Sequence, residues 1–216
     1  MRELIVSAFL TLDGVMQAPG GPEEDPSGGF EHGGWSFAYW DEEMRRMLGD
    51  APSAPYELVL GRKTYEMFAA HWPYSDEPVA ELLNTAVKHV VTTTRGELEW
   101  ENSTLLVGEL PESVRALKQQ DGPELQVRGS ADLIQTLLEH RLVDEFRLWI
   151  FPLVLGTGKR LFDRGTMPAG LELVRSQVTS SGVIMATYRS GELKGGSFLP
   201  DSPSEAELAR RAAQER

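Results

Sequence analysis

The chain is predicted to be an α/β protein: a three-layer domain with a mixed sheet, helices on both faces and an antiparallel hairpin near its C-terminal end. Three observations lead there. Short apolar runs alternate with segments of helical period between residues 3 and 151. Two of those runs, Leu58-Val59-Leu60 and Leu125-Gln126-Val127, lead through a glycine into a helix. The last two runs, 171–179 and 183–188, are separated only by Ser180-Ser181-Gly182, which reads as a hairpin turn.

Residues 3–12 form the first strand, ended by the Asp13-Gly14 turn. Residues 17–34 are a long loop rich in glycine and proline; such loops inside compact domains are mostly functional lids or unstructured segments. Helix 36–48 follows, with Phe37, Trp40, Met44, Met47 and Leu48 at helical spacing, and Gly49-Asp50-Ala51-Pro52 ends it. Next come strand 56–60, helices 63–70 and 77–86, the β-branched strand 88–94 and a minor strand at 105–107. Pro111 suits the first turn of helix 112–120. Strand 125–127 leads to helix 131–140, which turns Ile134, Leu137 and Leu138 inward. Phe146, Leu148 and Ile150 alternate with Arg147, Trp149 and Phe151, the period of a strand with one face more buried. The domain spans 1–194, and 195–216 is a polar tail with a short helix at 205–213.

The chain has 216 residues, 41% of them apolar, with 5 Trp, 5 Tyr and 8 Phe, enough for one sizeable core. A net charge of −12 argues against nucleic acid and anionic lipid as partners. Cysteine is absent, which removes disulfides, thiolate zinc sites and cysteine nucleophiles. The four histidines show no metal-ligand spacing, and no G-x-S-x-G nucleophile elbow is present. The N-terminal apolar run reads as a first strand rather than a signal peptide, and no apolar stretch nears the roughly 20 residues of a membrane span. These features predict a soluble, cytoplasmic protein.

The most informative stretch is Leu58-Val59-Leu60-Gly61-Arg62-Lys63-Thr64-Tyr65-Glu66. A strand that turns through glycine into a helix leaves free N–H groups at the helix start, where the helix dipole also favours an anion. Arg62 and Lys63 add charged donors at the same spot. A second junction of this kind is Val127-Arg128-Gly129-Ser130-Ala131. The residues alone also fit plain strand–helix junctions with solvated cations. Gly156-Thr157-Gly158-Lys159-Arg160 fails as a phosphate-binding P-loop: Leu153 stands where a glycine is required, and Arg160 replaces the Ser/Thr after lysine.

Gly61-Arg62-Lys63-Thr64-Tyr65-Glu66 after an apolar strand resembles the strand-to-helix motif of the dihydrofolate reductase family. That superfamily includes the C-terminal reductase domain of the bifunctional riboflavin-biosynthesis deaminase/reductase. The resemblance covers about residues 2–190. It implies a dihydrofolate-reductase-like fold and NADPH as cofactor, with the first junction at the adenosine 2′-phosphate and pyrophosphate. Arg128-Gly129-Ser130-Ala131 resembles the Gly-Gly segment that holds the pyrophosphate, with Arg128 in place of the first glycine. Thr93, Thr94 and Arg95 match the family position that contacts the 2′-phosphate. The loop 17–34 matches a mobile loop that closes over the nicotinamide, so it is expected to be a lid. Asp41 is the nearest equivalent of the acid that holds the pterin and supplies the proton, and Asp13, in the Leu-Asp-Gly pattern beside the nicotinamide, is the second candidate.

Leu-Asp-Gly and Pro152-Leu-Val-Leu-Gly-Thr-Gly158 look more like the riboflavin branch. The first expected substrate is therefore 5-amino-6-(5-phosphoribosylamino)uracil, and a dihydropterin is the second. With no zinc-deaminase ligands present, the resemblance implies a stand-alone reductase module as the expectation. A phosphorylated ribose calls for cations in the substrate pocket, and Lys159 and Arg160 are candidates. The resemblance also implies a homodimer. A non-catalytic NADP-binding regulatory protein is the alternative of a different class.

Overall fold

The computed structural model describes residues 1–49, 55–92, 96–196 and 203–214. Its centre is one sheet of eight strands: β1 (Leu4–Thr11), β2 (Tyr56–Gly61), β3 (Lys88–Val91), β4 (Ser103–Leu106), β5 (Glu124–Arg128), β6 (Glu145–Phe151), β7 (Gly170–Val178) and β8 (Ile184–Gly191). The order is β4-β3-β2-β5-β1-β6-β8-β7. The pairings among the first six are parallel, and β8 runs antiparallel to both β6 and β7. Parallel neighbours need crossover connections. The helices α1 (Glu42–Gly49), α2 (Arg62–His71), α3 (Pro78–Thr85), α4 (Leu110–Gln119) and α5 (Ala131–Glu139) lie in those connections, and α6 (Glu205–Gln214) follows the sheet.

Strand β1 shows why both faces are covered. Leu4, Val6, Ala8 and Leu10 point to one face and join Val114 and Leu117 of α4 and Ile134 and Leu137 of α5 in the main core. Phe9 points to the other face and packs with Val15, Trp35, Met44 and Phe151. On that second face Leu58 and Leu60 of β2 meet Tyr65 of α2 and Leu83 of α3. A strand buried on both faces reads as a continuous apolar run, which is how 3–12 stood out in the sequence. Strand β7 is the opposite case. It is an edge strand, exposed along nearly its whole length, with a register shift between Leu173 and Arg175.

Two expected elements differ. The helix expected over 36–48 is a 3₁₀ turn, Phe37–Tyr39, then α1 from Glu42. Trp40 between them is extended, and the Asp41 carboxylate accepts the Met44 N–H at 2.7 Å, so Asp41 caps the second helix and separates it from the first turn. The strand expected over 88–94 stops at Val91, and Thr93 and Thr94 lie outside the described residues.

Lys88 opens β3 and is fully buried. Its ammonium donates to the carbonyls of Asn84 (2.7 Å) and Glu101 (3.0 Å) and lies 4.1 Å from the centre of the Trp100 ring. Desolvation pulls its pKa down to about 8.

Candidate active site

Strands β2 and β5 are neighbours, in register at Val59 and Val127, so the two glycine junctions emerge side by side at the carboxyl edge of the sheet. This is where open α/β sheets bind ligands. The Gly61 N–H donates to Ser130 Oγ at 2.9 Å and ties the junctions together. Gly129 has φ +66°, and a Cβ there would stand 3.1 Å from Thr64 Cγ2. Glycine thus lets the β5–α5 turn lie against α2. Neither Gly61 nor Ser130 caps its helix with a side chain, so the leading N–H groups of α2 and α5 have no side-chain partner.

Arg62 stands at the first position of α2. Its Nε pairs with Glu66 at 2.5 Å, while its Nη1 is buried with no hydrogen-bond partner among the described residues. The Gly96 backbone runs alongside: a Cβ there would be 3.2 Å from Nη1. A buried guanidinium donor unpaired among the described residues, beside two uncapped helix starts, suits an anionic ligand. Lys63 is exposed and Thr64 is buried against the second junction. Thr93, Thr94 and Arg95 fall outside the described residues.

The structure brings Gly61, Arg62, Thr64, Gly129, Ser130 and Ala131 together. The Arg128 side chain leaves this group. It turns back along β5, where Nη2 and Nε donate to Gln126 Oε1 at 2.8 and 3.2 Å and the guanidinium lies 5.1 Å from the centre of the Tyr56 ring. Only its backbone remains at the junction.

The two expected proton donors have other work. Asp41 accepts from Met44 N–H, and its second oxygen accepts from Ser180 Oγ at 2.8 Å and Ser181 N–H at 2.9 Å. Glu43 binds the Ser180 N–H at 3.1 Å. The acids thus clasp α1 to the β7–β8 turn. The Met44 amide, then the Ser180 hydroxyl, hold the Asp41 pKa at about 2. Asp13 accepts from Thr11 Oγ1 (2.6 Å), Gly156 N–H (2.8 Å) and Leu155 N–H (3.2 Å), and Arg160 lies 3.3 Å away. The Thr11 hydroxyl leads in holding it at about 2 as well. Both carboxylates thus accept from several N–H and O–H donors and fasten the elements they bridge.

The 152–160 segment is the partner of the long loop. Met16 N–H donates to the Lys159 carbonyl (2.9 Å), Lys159 N–H donates to Gln17 Oε1 (2.9 Å), and Lys159 Nζ pairs with Asp25 at 2.6 Å. A Cβ on Gly158 would sit 2.8 Å from Phe30 and Val15. Glycine is required there by close packing of the loop rather than by a phosphate.

The sequence reading missed an aromatic wall at the same edge. Phe9 meets Trp40, Trp149 and Phe151 at ring-centre distances of 6.2, 5.9 and 5.4 Å. Phe9, Trp40 and Trp149 are half-buried. The signal was present: the strand alternation put Trp149 and Phe151 on one face with Arg147. Among the described residues no group of acids and histidines could hold a metal, and no helix is long and apolar enough to cross a membrane.

Comparison with known proteins agrees with this geometry. The RibD C-terminal domain family matches residues 2–185. The Bacillus subtilis (strain 168) protein YyaP is 29% identical over 193 residues, covering 87% of this chain and 94% of YyaP. A structure from Shewanella sp. PV-4, assigned to riboflavin biosynthesis, superposes with TM-score 0.65 at 21% identity over 88% of this chain and 99% of that one. Dihydrofolate reductase from Enterococcus faecalis, complexed with NADP(H), does so with TM-score 0.56 at 16% identity over 88% and 97%. The fold is dihydrofolate-reductase-like.

Proposed function

The chain belongs to the RibD C-terminal domain family, and from that premise we propose that it is an NADPH-dependent reductase of a small planar nitrogen heterocycle. One observation carries the cofactor: the buried, partnerless Nη1 of Arg62 beside two uncapped helix starts. The amides opening α2 and α5 would receive the pyrophosphate, and Arg62, with Lys63, the 2′-phosphate. Thr93, Thr94 and Arg95 belong to the same proposal by position in the sequence. NADPH, when bound, supplies the hydride. The chain itself supplies a cluster of aromatic rings, set edge-on or tilted to one another, that orients the substrate ring, and a long loop, fastened at Lys159 and Gln17, that lies over it. A ribosylaminouracil of the riboflavin branch is the first substrate to test and a dihydropterin the second. The homodimer and the cytoplasmic location are part of this proposal.

The engagement of Asp41 and Asp13 as acceptors for neighbouring turns favours one second reading, a nucleotide-binding protein without turnover. In the reductase reading the proton for nitrogen comes from solvent. Calorimetric titration with NADPH, followed by mixing with aminouracils and pterins while absorbance at the nicotinamide band is recorded, decides. Binding with oxidation is expected. Binding without oxidation across both substrate classes supports the second reading, and no heat with NADPH overturns both.

A further inference from the structure

We propose that one face of the β7–β8 hairpin is the surface on which two copies of this chain meet, sheet packed on sheet. The inference goes beyond the nucleotide and substrate reading and does not depend on it. The hairpin has two unlike faces. On one, Glu172 and Arg175 lie beside Arg189 and Thr187, on the same side as Arg147 and Trp149 of β6. The other presents three rows, Leu173 with Tyr188, Ser176 with Ala186, and Val178 with Ile184. None of these six residues is charged, in a chain where 25% of residues are. On β6 this second side is covered, since Phe146 and Leu148 sit in the main core. Farther out it is open. Leu171, Leu173, Val178 and Ile184 are 41, 52, 61 and 37% exposed. Phe162, whose ring centre lies 5.5 Å from that of Phe146, is 42% exposed and extends the patch. A single exposed leucine needs no explanation, but these side chains together offer roughly 400 Å² of apolar surface on one side, the scale that marks an interaction site.

Three features point to a second copy as the occupant. The first is area. A stable interface takes about 800 Å² from each partner, a little over half of it apolar, which is what this patch supplies with the polar surface around it. The second is charge. At a net charge of −12 two copies repel each other, and an uncharged face is where they approach at least cost. The third is relief. The small residues Ser176 and Ala186 form a row between two rows of large ones. A two-fold axis between the Leu173 and Ser176 rows sets the large row of each copy against the small row of the other, as sheets stacked face to face require. Edge-to-edge pairing of β7 is disfavoured by the register shift between Leu173 and Arg175, which leaves the face intact. The Val178–Ile184 row also adjoins the turn that Asp41 and Glu43 clasp through Ser180 and Ser181. A partner resting on this row therefore steadies α1 from below.

The experiment uses the full chain in solution. Sedimentation equilibrium at micromolar protein is expected to give twice the 24.0 kDa chain mass. Leu173→Glu is expected to weaken association at least tenfold with the far-ultraviolet circular dichroism unchanged. Glu172→Lys, on the opposite side of the same strand, is expected to leave association as it was. The chain has no cysteine, so Ser176→Cys gives a single reporter thiol. Its alkylation is expected to be severalfold slower in concentrated than in dilute protein, whereas the thiol of Glu172→Cys reacts at one rate in both. A monomer at every concentration would overturn the proposal. So would a dimer that Leu173→Glu leaves intact, or one that Glu172→Lys weakens as much. Protection of Ser176→Cys that persists on dilution would assign the face to a segment of the same chain and overturn it equally. Calorimetry with NADPH on the same samples keeps this apart from the nucleotide reading: a monomer that binds NADPH sinks the interface alone.

Discussion

Arg62 has one nitrogen bonded to Glu66 and another, Nη1, buried with no acceptor among the described residues. An unsatisfied buried donor destabilises the protein until a ligand satisfies it, so ligand binding gains both a charge-assisted bond and the removal of that penalty. Arg62→Ala is expected to weaken NADPH by about 1–3 kcal/mol and NADH much less. Titrating both nucleotides checks it, and equal losses would show that Arg62 does not meet the 2′-phosphate. Gly61, Arg62, Gly129 and Ser130 were legible in the sequence because a strand, a glycine and a helix start are all local signals. The work of Asp41 was not. Its partners Ser180 and Ser181 are 139 and 140 residues away, and only the fold brings them to the carboxylate. Arg128 is a similar case: its position follows from the motif, but its side-chain direction depends on Gln126 and on Tyr56 of a neighbouring strand.

At the scale of elements, the long loop 17–34 and the segment 152–160 form one unit. Backbone pairing of Val15 with Arg160, the Gln17 contacts and the Lys159–Asp25 pair join them. The Gln17 amide also binds the carbonyls of Asp25 and Ser27, both at 2.9 Å, inside the loop. Lys159→Met removes the ion pair and leaves the backbone contacts in place. Limited proteolysis within 17–34 is expected to be severalfold faster in this variant and to slow in both proteins when NADPH is bound. Equal cutting of the two proteins would show that the pair does not fasten the loop. The existence of the loop was readable from its glycines and prolines. Its fastening was not, because the glycines of Gly156-Thr157-Gly158 are explained by what packs on them, and Phe30 and Val15 are remote in sequence. Strand positions were largely legible for a simpler reason: a parallel strand covered on both faces must be apolar throughout.

For the whole molecule, Lys88 gives stability a pH dependence on the alkaline side. Its pKa is about 8 in the folded chain, against the 10.5 of an ordinary lysine. Below pH 8 the buried amine is charged in both states, and the folded state bears the full desolvation cost. Between pH 8 and 10.5 the folded chain has released the proton while the unfolded chain still holds it. The unfolded state then binds more protons, so stability rises with pH across that window. The contribution reaches about 3 kcal/mol at most, from 1.36 kcal/mol per pKa unit. Denaturant unfolding of the unaltered chain and of Lys88→Met at pH 7, 8, 9 and 10 is expected to show the difference between them growing in favour of the unaltered chain as pH rises. A constant difference would mean that the ammonium keeps its ordinary pKa despite burial.

The edge strand β7 bears on how the sheet terminates. The register shift between Leu173 and Arg175 interrupts its outer row of amides and carbonyls partway along, dividing it into two short stretches. A foreign strand could zip onto only a few consecutive bonds before losing step. The fold therefore carries its own stop signal against runaway templated growth along this edge.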